Sequence, residues 1–177
     1  MQTTFIITFI GDDRPGLVES LSEVVSEHNG NWLESRMSQL AGKFAGLISV
    51  SVPEESTEAL QTALKSLSET GSISIRGVSS AIGQPVVTDH SHMICLTILG
   101  PDRPGIVREI SASLSSQHIN VVDMESYVSP APMSAEMLFH ARVEAQLPEQ
   151  ADLAQLGDTL DAIANEMDVD VQLEPAP

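Results

Sequence analysis

The chain is poor in the side chains that grip nucleic acids. It has 8 Lys plus Arg against 25 Asp plus Glu, a formal net charge of −17, and its aromatic residues are 4 Phe, 1 Tyr and 1 Trp. Nucleic-acid binding draws on cations that displace phosphate counterions and on aromatic faces that stack bases. With both scarce, no direct nucleic-acid contact is expected, and the acidic surface suits a protein partner.

Cysteine is almost absent too. Cys95 alone, inside the apolar run Met93 to Leu99, excludes a disulfide framework and reads as a small core residue in a reducing compartment. No stretch approaches the roughly 20 uncharged apolar residues that span a bilayer, so no membrane segment is expected. The start, Met1 to Ile7, lacks a basic segment leading into an apolar one with a cleavage site, so a cytoplasmic location is expected. A Gly-rich phosphate loop, a Ser-His-Asp set and a Cys-His pair are not legible. His90-Ser91-His92 lacks a third ligand at metal spacing. No catalytic residue, metal or cofactor is therefore expected.

What the chain does contain is a repeat. Gly11-Asp12-Asp13-Arg14-Pro15-Gly16-Leu17-Val18 returns as Gly100-Pro101-Asp102-Arg103-Pro104-Gly105-Ile106-Val107, an offset of 89 that also places Asn31 on Asn120. Val52-Pro53-Glu54 returns at an offset of 95 as Leu147-Pro148-Glu149, so the second copy carries six more residues, expected within Ser129 to Met133.

Each copy reads as β-α-β-β-α-β. Thr4 to Ile10 and Met93 to Leu99 are near-continuous apolar runs suited to central strands. Leu17, Leu21 and Val25, and Ile106, Ile110 and Leu114, recur at helical spacing. Met137 to Leu147 alternates with a period of two, as a half-covered strand does. A second helix is expected to start after Pro53 or Pro148, residues that suit a first helical turn, and final strands hold Ile73 and Ile75 or Val169, Val171 and Leu173. The expected fold class is α+β: two ferredoxin-like domains, antiparallel sheets with helices on one face, at residues 1–80 and 92–177 with a linker at 81–91.

Two βαββαβ modules, each with Asp-Arg-Pro-Gly before the first helix, resemble ACT domains over nearly the whole chain. The free-standing tandem arrangement is similar to the transcriptional repressors of the glycine cleavage system. That resemblance implies a regulator that responds to glycine or another small amino acid such as serine and contacts a DNA-binding activator, with no enzymatic activity. It also implies an effector site at a domain interface, formed by the turn and the start of the second strand, here Asn31 and Asn120.

The turn has its own chemistry. Pro15 and Pro104 preset a helical φ, and Gly16 and Gly105 leave the backbone uncovered, so the amides of Gly16, Leu17, Val18, Gly105, Ile106 and Val107 form a seat for a carboxylate at the positive end of a helix. Asp12, Asp13 or Asp102 could hold the ammonium of the same amino acid, and Arg103, like Arg14, stands beside the turn. The competing reading is that the aspartates only cap the helices. Trp32, where the second copy has Val121, reads as core packing or as filler of a domain interface. A homodimer, a detached regulatory subunit of a metabolic enzyme and a small ferredoxin-like enzyme are the remaining alternatives.

Overall fold

Phe5, Ile7 and Phe9 alternate with more exposed neighbours along the first strand and are all but fully buried. That alternation puts one face of the strand against helices and leaves the other open. The computed structural model describes residues 1–71, 73–80, 93–132, 136–148 and 151–175. These divide into two compact units, residues 1–86 and 87–177, whose boundary falls outside the described residues, as does the expected linker.

The first module runs β1 (Gln2–Asp12), α1 (Leu17–Glu27), β2 (Asn31–Leu40), β3 (Lys43–Pro53), α2 (Thr57–Thr70) and β4 (Ile73–Ser80). The second runs β5 (Met93–Pro101), α3 (Ile106–Ser116), β6 (Asn120–Pro130), β7 (Met137–Gln146), α4 (Leu153–Met167) and β8 (Asp170–Pro175). Both sheets are antiparallel and four-stranded, ordered β2-β3-β1-β4 and β6-β7-β5-β8. This is the ferredoxin-like α+β arrangement expected from the periodicity.

Each core lies between a sheet and its two helices. In the first, Phe5, Ile7 and Phe9 meet Ile48, Val50 and Val52 of β3, Leu17, Leu21 and Val25 of α1, and Leu60 and Leu64 of α2. In the second, Ile94, Leu96 and Ile98 meet Val143 and Ala145, Ile106, Ile110 and Leu114, and Leu156 and Leu160. The helical residues recur every fourth position, so one stripe faces the sheet. Removing one such leucine side chain would cost about 2–5 kcal/mol. Trp32 is half-buried against the first core, the packing role foreseen for it.

The extra six residues sit in the second hairpin. β2 turns into β3 through Ala41 and Gly42, both left-handed at φ 50° and 76°, the two-residue turn that matches strand twist. In the second module β6 pairs one residue further, to Pro130 with Met137, so six residues of sequence separate the paired ends where the first module has two. The edge strands β2 and β6 carry a register shift at equivalent places, Trp32/Glu34 and Val121/Asp123.

Neither proline opens a second helix. Pro53 is extended, at ψ 136°, and a single 3-10 turn over Glu54–Ser56 precedes α2. α4 starts five residues after Pro148, behind its N-cap Asp152, which accepts from the amides of Ala154 and Gln155 at 3.0 and 3.1 Å. A carboxylate that satisfies two orphan amides marks a helix start more strongly than a proline's fixed φ.

Candidate functional site

The two strand-to-helix turns are built alike. The amide of Asp13 donates to the carbonyl of Gly42 at 3.1 Å, and that of Asp102 donates to Met137 at 2.8 Å, so each turn is tied to its β-hairpin. Gly16 and Gly105 follow in the left-handed region at φ 88° and 105°. Their carbonyls accept the first helical hydrogen bonds, from Ser20 and Glu109, each at 2.9 Å. A glycine is required because any other residue but Asn or Asp pays to stand there.

Neither helix start has a side-chain cap. Asp13 is engaged elsewhere, accepting from Gln39 Nε2 at 2.6 Å, and Asp12 pairs with Lys43 of the adjacent β3. The aspartates therefore do not cap, and the first-turn amides, including those of Leu17, Val18, Ile106 and Val107, are left for water or an anion. Leu17 and Ile106 bury their side chains in the cores and offer only backbone, while Val18 and Val107 are partly exposed at 40% and 43%. Pro15 and Pro104 lie exposed on the turns. α4 differs, because Asp152 already fills the equivalent amide seat.

Electrostatics separate the modules. The Lys43 ammonium, by hydrogen bond and charge, holds the Asp12 carboxyl below its ordinary value. In the second module Pro101, Val128 and Leu138 replace Asp12, Gln39 and Lys43, so no charged pair joins those positions of the turn and its hairpin. Asp102 is exposed. Arg103 reaches across to the C-terminal end of α4 and pairs with Asp168 at 3.1 Å. The Arg14 guanidinium lies at the corresponding end of α2, where a Cβ built on Gly71 would stand 3.0 Å from its Nη2.

Beside the first turn lies an open cleft of about 470 Å³ lined by Arg14, Gly16, Glu19, Ser20, Glu23 and Leu67. Glu19 and Glu23 are one turn apart on α1, so both face it, opposite Arg14. One cation, two carboxylates and a set of uncapped amides are complementary to a zwitterion. In the second module Arg108 and Ala112 replace Glu19 and Glu23. Sequence reading named Arg14 without the acids, although their spacing of four residues on a helix that starts at the turn was the signal available.

Asn31 and Asn120 are not at these turns. Asn31 pairs with Ser51 and Asp12 with Lys43, eight residues apart along β3, or about 26 Å at strand rise. Asn120 with Gln146 and Pro101 with Leu138 repeat the separation. Within one module the two halves of the expected site lie at opposite ends of the sheet.

Among the described residues no group of three or more His, Cys, Asp and Glu could hold a metal ion, and no helix is long and apolar enough to cross a membrane. His90 and His92 lie outside the described residues.

Comparison with known proteins places this geometry. The ACT domain model matches twice, at residues 3–77 and 92–174. The chain is 22% identical over 167 residues to the glycine cleavage system transcriptional repressor of Escherichia coli strain K12, covering 94% of this chain and 86% of that one. Among solved structures it superposes on one described only as an unknown protein from Galdieria sulphuraria, with a TM-score of 0.80, 27% identity and full coverage of both chains. It also superposes on a protein taken to be a glycine cleavage system transcriptional repressor, with a TM-score of 0.72, 19% identity and coverage of 98% and 97%. The duplicated βαββαβ topology and the two matches covering most of the chain make this a tandem member of the ACT domain family.

Proposed function

We propose that the protein is a cytoplasmic, non-enzymatic regulator that binds a small amino acid, glycine or serine first, at the first module's turn and passes the signal by contacting a DNA-binding activator of glycine cleavage or related amino-acid metabolism. The observation that carries the reading is the uncapped start of α1 beside a cleft holding Arg14, Glu19 and Glu23. The ligand carboxylate sits on the amides of Leu17 and Val18 with Arg14 alongside, where the helix dipole favours it. The ammonium faces Glu19 and Glu23. Glycine and serine suit an open, polar cleft, since neither brings an apolar side chain that would need burial.

The second module keeps the amides but has Arg108 and Ala112 at the acid positions, so the two turns have unequal jobs and the first is the sensor. The similarity to a transcriptional repressor supports the regulatory role. The net charge of −17 supports action through a protein contact, because it opposes phosphate. Effector binding then shifts the partner's affinity by its differential affinity for the free and partner-bound states.

The test is calorimetry and thermal shift of the full chain against the twenty amino acids. Glycine or serine binds the wild type. Glu19→Gln with Glu23→Gln weakens binding about tenfold or more, the usual worth of a charge-assisted contact. Arg103→Ala leaves it unchanged. Absence of any amino-acid binding at millimolar concentration defeats the sensor reading and leaves a protein-binding module.

A further inference from the structure

The two turns differ in what the end of the second helix lays against them. Ile73 pairs with Gly11, and Val169 lies against Gly100, the counterpart of Gly11, so Gly71 and Met167, each two residues earlier, hold equivalent places. Gly71 is the C-cap of α2, and Met167 is the last residue of α4. The first turn is left open: among the described residues, a Cβ built on Gly16 would have only Glu19, from its own helix, within 4 Å. Arg14 forms no ion pair among the described residues, in a chain with 25 acidic residues to 8 basic ones.

The second turn is covered. Met167 Cε stands 3.8 Å from where a Gly105 Cβ would be, and its side chain packs against the second core. Arg103 donates from Nη2 to Asp168 Oδ2 at 3.1 Å. Asp168 offers this carboxylate from a left-handed position, φ 57°, just past the end of α4. A carboxylate on the turn's arginine, beside a glycine-opened helix start, repeats from within the chain the contact assigned to a ligand carboxylate at the first turn. Arg103 and Asp168 are 47% and 73% exposed, and an ion pair that exposed holds weakly, so Met167 supplies most of the cover.

We infer that Met167 and Asp168 close the second turn with a methyl group and a carboxylate of the chain's own, and that Gly71 is the residue that keeps the first turn open to a ligand. The inference rests on the reading of the first turn as an amino-acid seat and sets its stoichiometry at one amino acid per chain. A side chain at Gly71 would stand 3.0 Å from Arg14 Nη2 at its first carbon and displace the guanidinium that lines the cleft. Because Arg108 and Ala112 replace Glu19 and Glu23, the second turn, once uncovered, suits an anion that carries no ammonium.

Amide NMR titrations of the full chain test it, with glycine and acetate as probes. In the wild type glycine shifts Gly16 and Leu17, while Gly105 and Ile106 stay fixed with either probe. Met167→Ala with Asp168→Asn, an exchange that keeps a residue tolerant of the left-handed region, lets acetate shift Gly105 and Ile106. Gly71→Met weakens glycine binding about tenfold, the loss of one charge-assisted contact, with the β1 resonances in place as the check on folding. Three results overturn the inference: Gly105 and Ile106 answering acetate in the wild type as they do in the double variant, the same amides indifferent to acetate in that variant, or Gly71→Met binding glycine as the wild type does. A wild type that takes no amino acid defeats the sensor reading alone, and acetate shifting Gly105 and Ile106 only in the double variant then still supports closure by Met167 and Asp168.

Discussion

Asp12 and Lys43 stand opposite each other in the β1–β3 ladder and form an ion pair, whereas their counterparts Pro101 and Leu138 hold the same register with neither charge. Two solutions thus tie a strand-to-helix turn to a hairpin. One is polar, the other apolar. The amide bonds from Asp13 to Gly42 and from Asp102 to Met137 are common to both and set the path of the turn.

The polar solution is sensitive to pH. Lys43 depresses the folded-state value of Asp12, so the tether is intact above the ordinary aspartate range and is lost as pH falls through the depressed value. A carboxyl NMR titration should find Asp12 titrating below an ordinary aspartate in the wild type and returning toward the usual value in Lys43→Gln. An unmoved titration would mean that the pair is not held in solution. The second module, with Pro101 in place of Asp12, supplies the internal control.

The cores diverged by compensation. A Cβ built on Gly77 would lie 2.3 Å from the Phe5 ring, so the ring occupies the space that a β4 side chain would need. In the second module the same places hold Ile94 and Leu173, a smaller residue facing a larger one. Gly77→Leu should destabilise the first module by about 1–3 kcal/mol through overpacking. Phe5→Ile in the same chain should recover much of that loss, with a coupling of about 0.5–3 kcal/mol in a denaturant double-mutant cycle. Strict additivity would refute the exchange of volume.

At Gly16 the cost of a side chain is purely conformational. The nearest atom to a built Cβ is Glu19 Oε2 at 3.8 Å, an ordinary contact, but φ is 88°. Gly16→Ala should therefore lower stability by about 1 kcal/mol in urea unfolding, the left-handed penalty less the entropy removed from the unfolded chain. Gly105→Ala, at φ 105° with its nearest neighbour also 3.8 Å away, should behave alike. If the turn seats a ligand, only Gly16→Ala should also weaken amino-acid binding. A neutral effect on stability at both sites would mean that the turns can adopt another path.

Most of the fold was legible because strand and helix periods report which side of each element meets its core. Phe5, Ile7 and Phe9 announce a strand by alternation, and Leu17, Leu21 and Val25 a helix by recurrence at every fourth residue. The start of α4 was misplaced because a proline's φ preference is a local signal. The cap that decides it is a carboxylate whose position depends on the chain coming back to meet two free amides.

The site was legible only in part. The duplicated Asp-Arg-Pro-Gly turns stood out in the sequence, and the structure shows their amides uncapped. The aspartates beside them turned out to bind the hairpin, and the acids lining the cleft came from α1 instead. Asn31 and Asn120 were expected at an interface between domains; within each module they stand at the far end of the sheet from its turn.

By itself, then, the sequence determined two copies of one βαββαβ module, a pair of glycine-opened helix starts and an acidic surface averse to phosphate. These follow from side-chain period, backbone freedom at glycine and the count of charges, all of which are local or global properties of the chain. Tertiary structure alone decided which carboxylates meet which cations and which end of a sheet holds a residue. Those outcomes depend on strand register, which brings together residues that the sequence keeps tens of positions apart.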